Sequence, residues 1–95
     1  AAFHQELVLA VILTPCAIFL GRNISEILLL IGVVLLVLVV ELINSAIEAL
    51  ADAISLDSHP LLGRAKDLGS AAVFVAFGAA FLVWISLIVV RITQG

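Results

Sequence analysis

Glu41, Asn44, Glu48 and Asp52 interrupt an otherwise apolar stretch at intervals of three, four and four residues. At about 100° per residue of helix they point at about 0°, −60°, −20° and +20°, one narrow stripe, with Ser45 beside it at about 40°. Their neighbours Leu42, Ile43, Ala46, Ile47, Ala49 and Leu50 are apolar. A helix end that merely emerges into water carries polar residues all round, whereas this one confines them to a single side. Carboxylates at a membrane edge are costly and face a polar cavity or a partner. A partner is available further along the chain in Arg64, Lys66, Asp67 and Ser70. Lys66 and Ser70 are four apart and Asp67 and Ser70 three, so on a helix these groups can line one cavity. Three acids, an amide and a lysine at one place suit a divalent metal and a polyphosphate. Carboxylates hold Mg²⁺, Mg²⁺ bridges phosphate oxygens, and an ammonium neutralises charge on a phosphoryl group in transfer. Structural ion pairing accounts for the same residue types. Neither G-x-x-x-x-G-K-[ST] nor G-x-G-x-x-G occurs, so the common soluble nucleotide-binding folds are excluded.

The elements that must position these groups are set by composition. Apolar residues make up 65% of the 95 residues, against roughly 45–50% in soluble domains. Seven acids and four strong bases cannot keep such a surface wet, and a soluble fold this small cannot hide the apolar excess. Lipid must cover most of it. The net charge of −3 and the lack of a Lys/Arg cluster argue against nucleic acid and against a polybasic lipid contact. The one cysteine, Cys16, excludes an intrachain disulfide and reads as a packed free thiol. The opening AAFHQE lacks a basic n-region, and a start upstream is expected.

Three apolar segments follow, in a single all-α membrane domain over residues 1–95. Residues 7–20 cover about 21 Å, and extension back to residue 3 gives about 27 Å, with His4, Gln5 and Glu6 at the interface. Pro15 should kink this helix modestly, with Thr14 or a neighbouring helix compensating the lost hydrogen bond. Asn23 followed by Glu26 forms a variant capping box and starts a second helix, over about residues 24–55. That helix would be about 48 Å long, more than the hydrocarbon thickness, so its second half leaves the bilayer or lines a cavity. Asp57-Ser58-His59-Pro60 is a turn. A third helix runs over about 60–92 and crosses the membrane between residues 68 and 90. Ala72, Ala76 and Ala80, continued by Gly69 and Ala65, form a stripe of small residues that allows close helix approach. Arg64 and Lys66 at one side balance Arg22 and Arg91 at the other, so positive charge does not orient the chain.

VELINSAIEALAD followed by GRAKDLGSAAV, with AAFHQE before them, resembles the prokaryotic diacylglycerol kinase family essentially end to end. The resemblance implies a homotrimer of three-crossing subunits with composite sites between neighbours. It implies transfer of the γ-phosphoryl group of MgATP to diacylglycerol, giving phosphatidic acid, in the bacterial inner membrane. The N-terminal end, the turn between the second and third helices and the active site would be cytoplasmic. By position, Glu41 resembles the family's catalytic base and Glu48 its metal-binding acid. Asn44, Lys66 and Asp67 fall on polar active-site positions, the last two on the nucleotide side. Asp57, Ser58 and His59 fall where the family's turn approaches ATP. Ala2, Phe3, His4, Gln5 and Glu6, with Glu41, Ser70 and Trp84, match the lipid-contacting side. A turn residue and an interfacial anchor account equally well for His59 and Trp84.

The family also has an amphipathic surface helix before its first crossing, and a second metal-ligating glutamate immediately before the position of Ala1. Neither is in this sequence, so the 95 residues alone are expected to bind metal-nucleotide weakly. Undecaprenol kinase is the nearest alternative, and the wording of GRAKDLGSAAV favours the diacylglycerol type. A proton or cation conduit through Glu41, Glu48 and Lys66 is an alternative of another class, and a structural assembly subunit a third.

Overall fold

The computed structural model describes residues 2–54 and 60–94, with side chains described from His4 onward. These residues form three α-helices, α1 (Ala2–Leu20), α2 (Ile24–Ile54) and α3 (Pro60–Gln94). The molecule is a rod of 55 × 20 × 17 Å, long because α2 and α3 have 31 and 35 residues. At 1.5 Å per residue these are about 46 and 52 Å, against a hydrocarbon core of about 30 Å. Both are long and apolar enough to cross a membrane, and residues 4–20 form a shorter apolar helix. The result is a three-helix membrane protein in which the far ends of α2 and α3 extend past the apolar slab.

The link between α1 and α2 is short because both ends are capped locally. The amide of Gly21 donates to Ala17 O at 2.9 Å and closes α1. Glu26 N donates to the Asn23 side-chain oxygen at 3.0 Å, and Arg22 N donates back to Glu26 Oε1 at 3.0 Å. Two otherwise unpaired amides are thus satisfied: the Asn23 bond is the one the spacing predicts, while Glu26 reaches one residue further back, to Arg22 instead of Asn23. A Cβ on Gly21 would stand 2.5 Å from Ile27 Cγ1 and 2.9 Å from Ile27 N, so the turn can be this tight only with glycine.

Pro15 lies inside α1, which continues through it. Its missing N–H frees the carbonyl of Val11. Thr14 does not replace that bond: its hydroxyl donates to Ala10 O at 2.8 Å, one residue earlier. A helical threonine can reach the carbonyl three or four residues behind it, and Thr14 takes the one four behind, leaving the one freed by proline.

Packing runs along narrow seams. α3 lies chiefly on α2, α1 packs on α2, and α1 and α3 barely touch. The buried apolar residues are Ala10, Ala17, Leu30, Val37, Ala51 and Ala76, mostly small, so backbones approach closely where lipid supplies no hydrophobic drive. Of the small-residue stripe on α3, Gly69 and Ala76 are buried against α2, while Ala72 is exposed. Large apolar side chains point outward on every helix, among them Phe19 at 83% and Phe74 at 79% exposure. That is the surface of a protein solvated by lipid or by further copies of itself.

Candidate active site

The second half of α2 and the first half of α3 form an antiparallel pair that carries nearly all the ionisable groups. Glu41 begins the stripe and is buried, with 8% of its surface exposed, the sole buried charged residue among the described ones. No hydrogen bond reaches it from a described residue, and its charge acts on Glu6 of α1. One turn on, Asn44 Nδ2 donates to Glu48 Oε1 at 3.0 Å. A carboxylate only accepts, so the NH₂ must face Glu48 and the amide oxygen must face away. Asn44 Oδ1 is indeed buried without a partner, against Gly69 of α3.

The last member of the stripe, Asp52, receives a hydrogen bond from Lys66 Nζ at 2.5 Å, an ion pair that joins α2 to α3. Both side chains remain about half exposed. The Asp52 hydrogen bond and charge hold the Lys66 ammonium above its ordinary pKa of 10.5, against opposition from desolvation and with a smaller contribution from the Glu48 charge. The stripe therefore has a buried, unpaired carboxylate at its inner end and a carboxylate–amide–lysine cluster at its wet end.

An apolar groove of about 230 Å³ opens between the three helices, with Glu6 at its polar end and Trp84 among its lining. The Trp84 indole N–H donates to Leu30 O at 3.2 Å and ties α3 to the first half of α2. Ser70 lies elsewhere: it lines a separate groove with Val73, Phe74, Phe77, Gly78 and Phe81. Within one chain it does not join Lys66 and Asn44 in one cavity, because Lys66 bends toward Asp52 and Ser70 opens on the outer face of α3. Asp67 is exposed and has no hydrogen bond or ion pair to a described residue. His4 and Gln5 are exposed on the first turns of α1; of Ala2 and Phe3 only the helical backbone is described. Asp57, Ser58 and His59 lie outside the described residues.

No group of three acid, histidine or cysteine ligands converges among the described residues. Mg²⁺ needs no such cage, since one or two carboxylates plus substrate phosphates suffice. Glu48 fits that demand: it is exposed, and the Asn44 amide engages one of its oxygens while no described residue bonds the other. Two features of this region escape sequence reasoning. Spacing offers Lys66 to the whole acid stripe without singling out Asp52 as the acid it meets, and it gives Gly69 only a packing role.

A family profile described as prokaryotic diacylglycerol kinase matches residues 1–88. The chain belongs to that family. It is similar to a diacylglycerol kinase of Haemophilus influenzae, at 51% identity over 83 residues, 87% of this chain and 70% of the relative. A diacylglycerol kinase of Pseudomonas aeruginosa is 49% identical over 88 residues, 93% of this chain and 72% of the relative. One of Escherichia coli K12 is 46% identical over the same shares. Within this prokaryotic diacylglycerol kinase chain the matched span takes in all of α1 and α2 and most of α3, so the acid stripe and its lysine lie inside the family region.

Proposed function

We propose that the protein is an ATP-dependent lipid kinase that converts diacylglycerol to phosphatidic acid in the bacterial inner membrane, with its site at the cytoplasmic face. The carrying observation is the single stripe on α2. It runs from the buried Glu41 carboxylate, whose charge acts on the groove-lining Glu6, to an exposed carboxylate–amide–lysine cluster. A lipid alcohol and a nucleotide need such a junction, because one substrate stays in the bilayer and the other never enters it.

The hydroxyl oxygen of the lipid attacks the γ-phosphorus, the bond from that phosphorus to the β–γ bridging oxygen breaks, and ADP leaves. The hydroxyl proton passes to Glu41. The transition state is loose, so alignment and charge neutralisation outweigh deprotonation of the alcohol. Glu41 receives the proton, and the groove lined by Glu6 and Trp84 accommodates an acyl chain. Lys66 leaves Asp52 to meet phosphate oxygens, with Asp67 on the nucleotide side. Glu48 would hold Mg²⁺ together with the nucleotide, and the bound ion would neutralise phosphate charge. Asn44 keeps the Glu48 carboxylate turned toward that position.

A homotrimer with sites shared between subunits accords with the many large apolar side chains that one chain leaves uncovered. A conduit is disfavoured because residues 27–40 and 71–90 offer no ionisable group to extend the path. The acceptor is tested by supplying diacylglycerol and undecaprenol side by side with MgATP. Phosphatidic acid is the expected product; formation of undecaprenyl phosphate alone would reassign the acceptor.

A further inference from the structure

The unpartnered oxygen of Asn44 has a structural counterpart on α3. Gly69 is buried opposite it, and a Cβ built on Gly69 would stand inside contact distance of Asn44 Oδ1, 3.3 Å from its Cγ and 3.7 Å from Ile47 Cδ1. Gly32, Gly63 and Gly78 would place a Cβ in open space. Glycine is the poorer helix former, so in those open positions alanine would serve the helix better. At Gly69 alanine fits only if the Asn44 carboxamide moves.

We infer that Gly69 is a positioning residue: its lack of a side chain lets α3 close over the Asn44 carboxamide and holds that amide with its NH₂ on Glu48. Three observations carry this. The amide oxygen is buried without a donor, a costly arrangement for which a relaxed side chain would find an alternative. The amide hydrogens are committed to Glu48 at 3.0 Å. The wall behind the oxygen is helix backbone at Gly69, which cannot yield as a flexible side chain would. A methyl group at position 69 must either push α3 off α2 or turn the Asn44 amide away from Glu48. The link from Gly69 to catalysis rests on the kinase reading; the steric coupling of Gly69 to Asn44 does not.

The test is a cycle of Gly69→Ala, Asn44→Ala and the double variant, with Gly32→Ala as a control, in detergent micelles. Two readouts are taken: the thermal unfolding midpoint by circular dichroism, and phosphate transfer with Mg²⁺ titrated. With Asn44 present, Gly69→Ala should lower the midpoint and raise the Mg²⁺ needed for half-maximal rate. Transfer should fall about ten- to a hundredfold, the range for displacing a positioned group by up to an ångström. In the Asn44→Ala background the methyl occupies vacated space, so the same change should raise the midpoint and alter residual transfer less than about twofold. Gly32→Ala should raise the midpoint and leave transfer unchanged. An equal drop in midpoint in both backgrounds would mean that Gly69 serves helix contact alone, and would overturn the inference. So would full transfer activity in Gly69→Ala. Should the unmodified protein form no phosphatidic acid, the kinase reading fails, while the reversal of sign in the midpoints still decides the Gly69–Asn44 coupling.

Discussion

Glu41→Gln should make the protein more stable and nearly inactive. Glu41 is 8% exposed, accepts no hydrogen bond from a described residue, and lies within reach of the Glu6 charge. Holding a charge there without a described hydrogen-bond donor costs more than holding an amide of the same shape, whose partnerless polar atoms cost about 1–3 kcal/mol. The difference leaves a gain in folding stability of about 1–2 kcal/mol for the neutral side chain. The chemical step moves the other way. Without a proton acceptor, turnover should fall about 10²–10⁴-fold, equivalent to about 3–5 kcal/mol in the barrier. Stability is read from equilibrium unfolding in mixed micelles by far-ultraviolet circular dichroism. Turnover is read from transfer of the γ-phosphate of ATP to diacylglycerol, with both substrates saturating. An opposed pair of effects is the signature of a group kept for chemistry at the expense of the fold. A variant that loses stability, or keeps turnover within about tenfold of the unmodified protein, would refute the reasoning.

Two further outcomes follow from the geometry. Because the Asp52 hydrogen bond and charge raise the Lys66 pKa above 10.5, the pair adds stability that is fully present below pH 10.5 and fades as pH rises through the higher folded value. The unfolding midpoint should therefore fall more steeply above that pH in the unmodified protein than in Asp52→Asn; parallel curves would rule the pair out as the cause. Trp84→Phe removes the bond to Leu30 O, and interhelical bonds in bilayers are worth about 0.6 and at most about 1.7 kcal/mol. A loss in that range is expected by equilibrium unfolding, and a neutral change would mean that the indole serves only as a lipid-facing surface.

Much of the architecture could be read from residue order because it is local. Asn23 and Glu26 bond within a single turn, and the unbroken apolar runs leave a polypeptide no other way to satisfy its backbone in lipid. The stripe of Glu41, Asn44, Glu48 and Asp52 was legible for the same reason, since helical period fixes direction about one axis. What one helix meets on another was legible only in part: the acid row was expected to meet Lys66 and does so through Asp52. Spacing put Ser70 with Lys66 on α3, yet the rotation of α3 against α2 turns Lys66 to Asp52 and Ser70 to an outer groove. The contact of Gly69 with Asn44 depends on the relative height of two helices, which no periodicity encodes. Thr14 does not bond the carbonyl freed by Pro15 because its rotamer takes the Ala10 carbonyl instead.

The most direct measurement follows the label of γ-³²P-ATP after addition of purified protein, Mg²⁺ and diacylglycerol in micelles. A wet carboxylate–lysine cluster coupled to a lipid groove predicts one labelled phosphatidic acid for each ADP formed. Label appearing as inorganic phosphate, or ion flux through proteoliposomes with no lipid product, would contradict it.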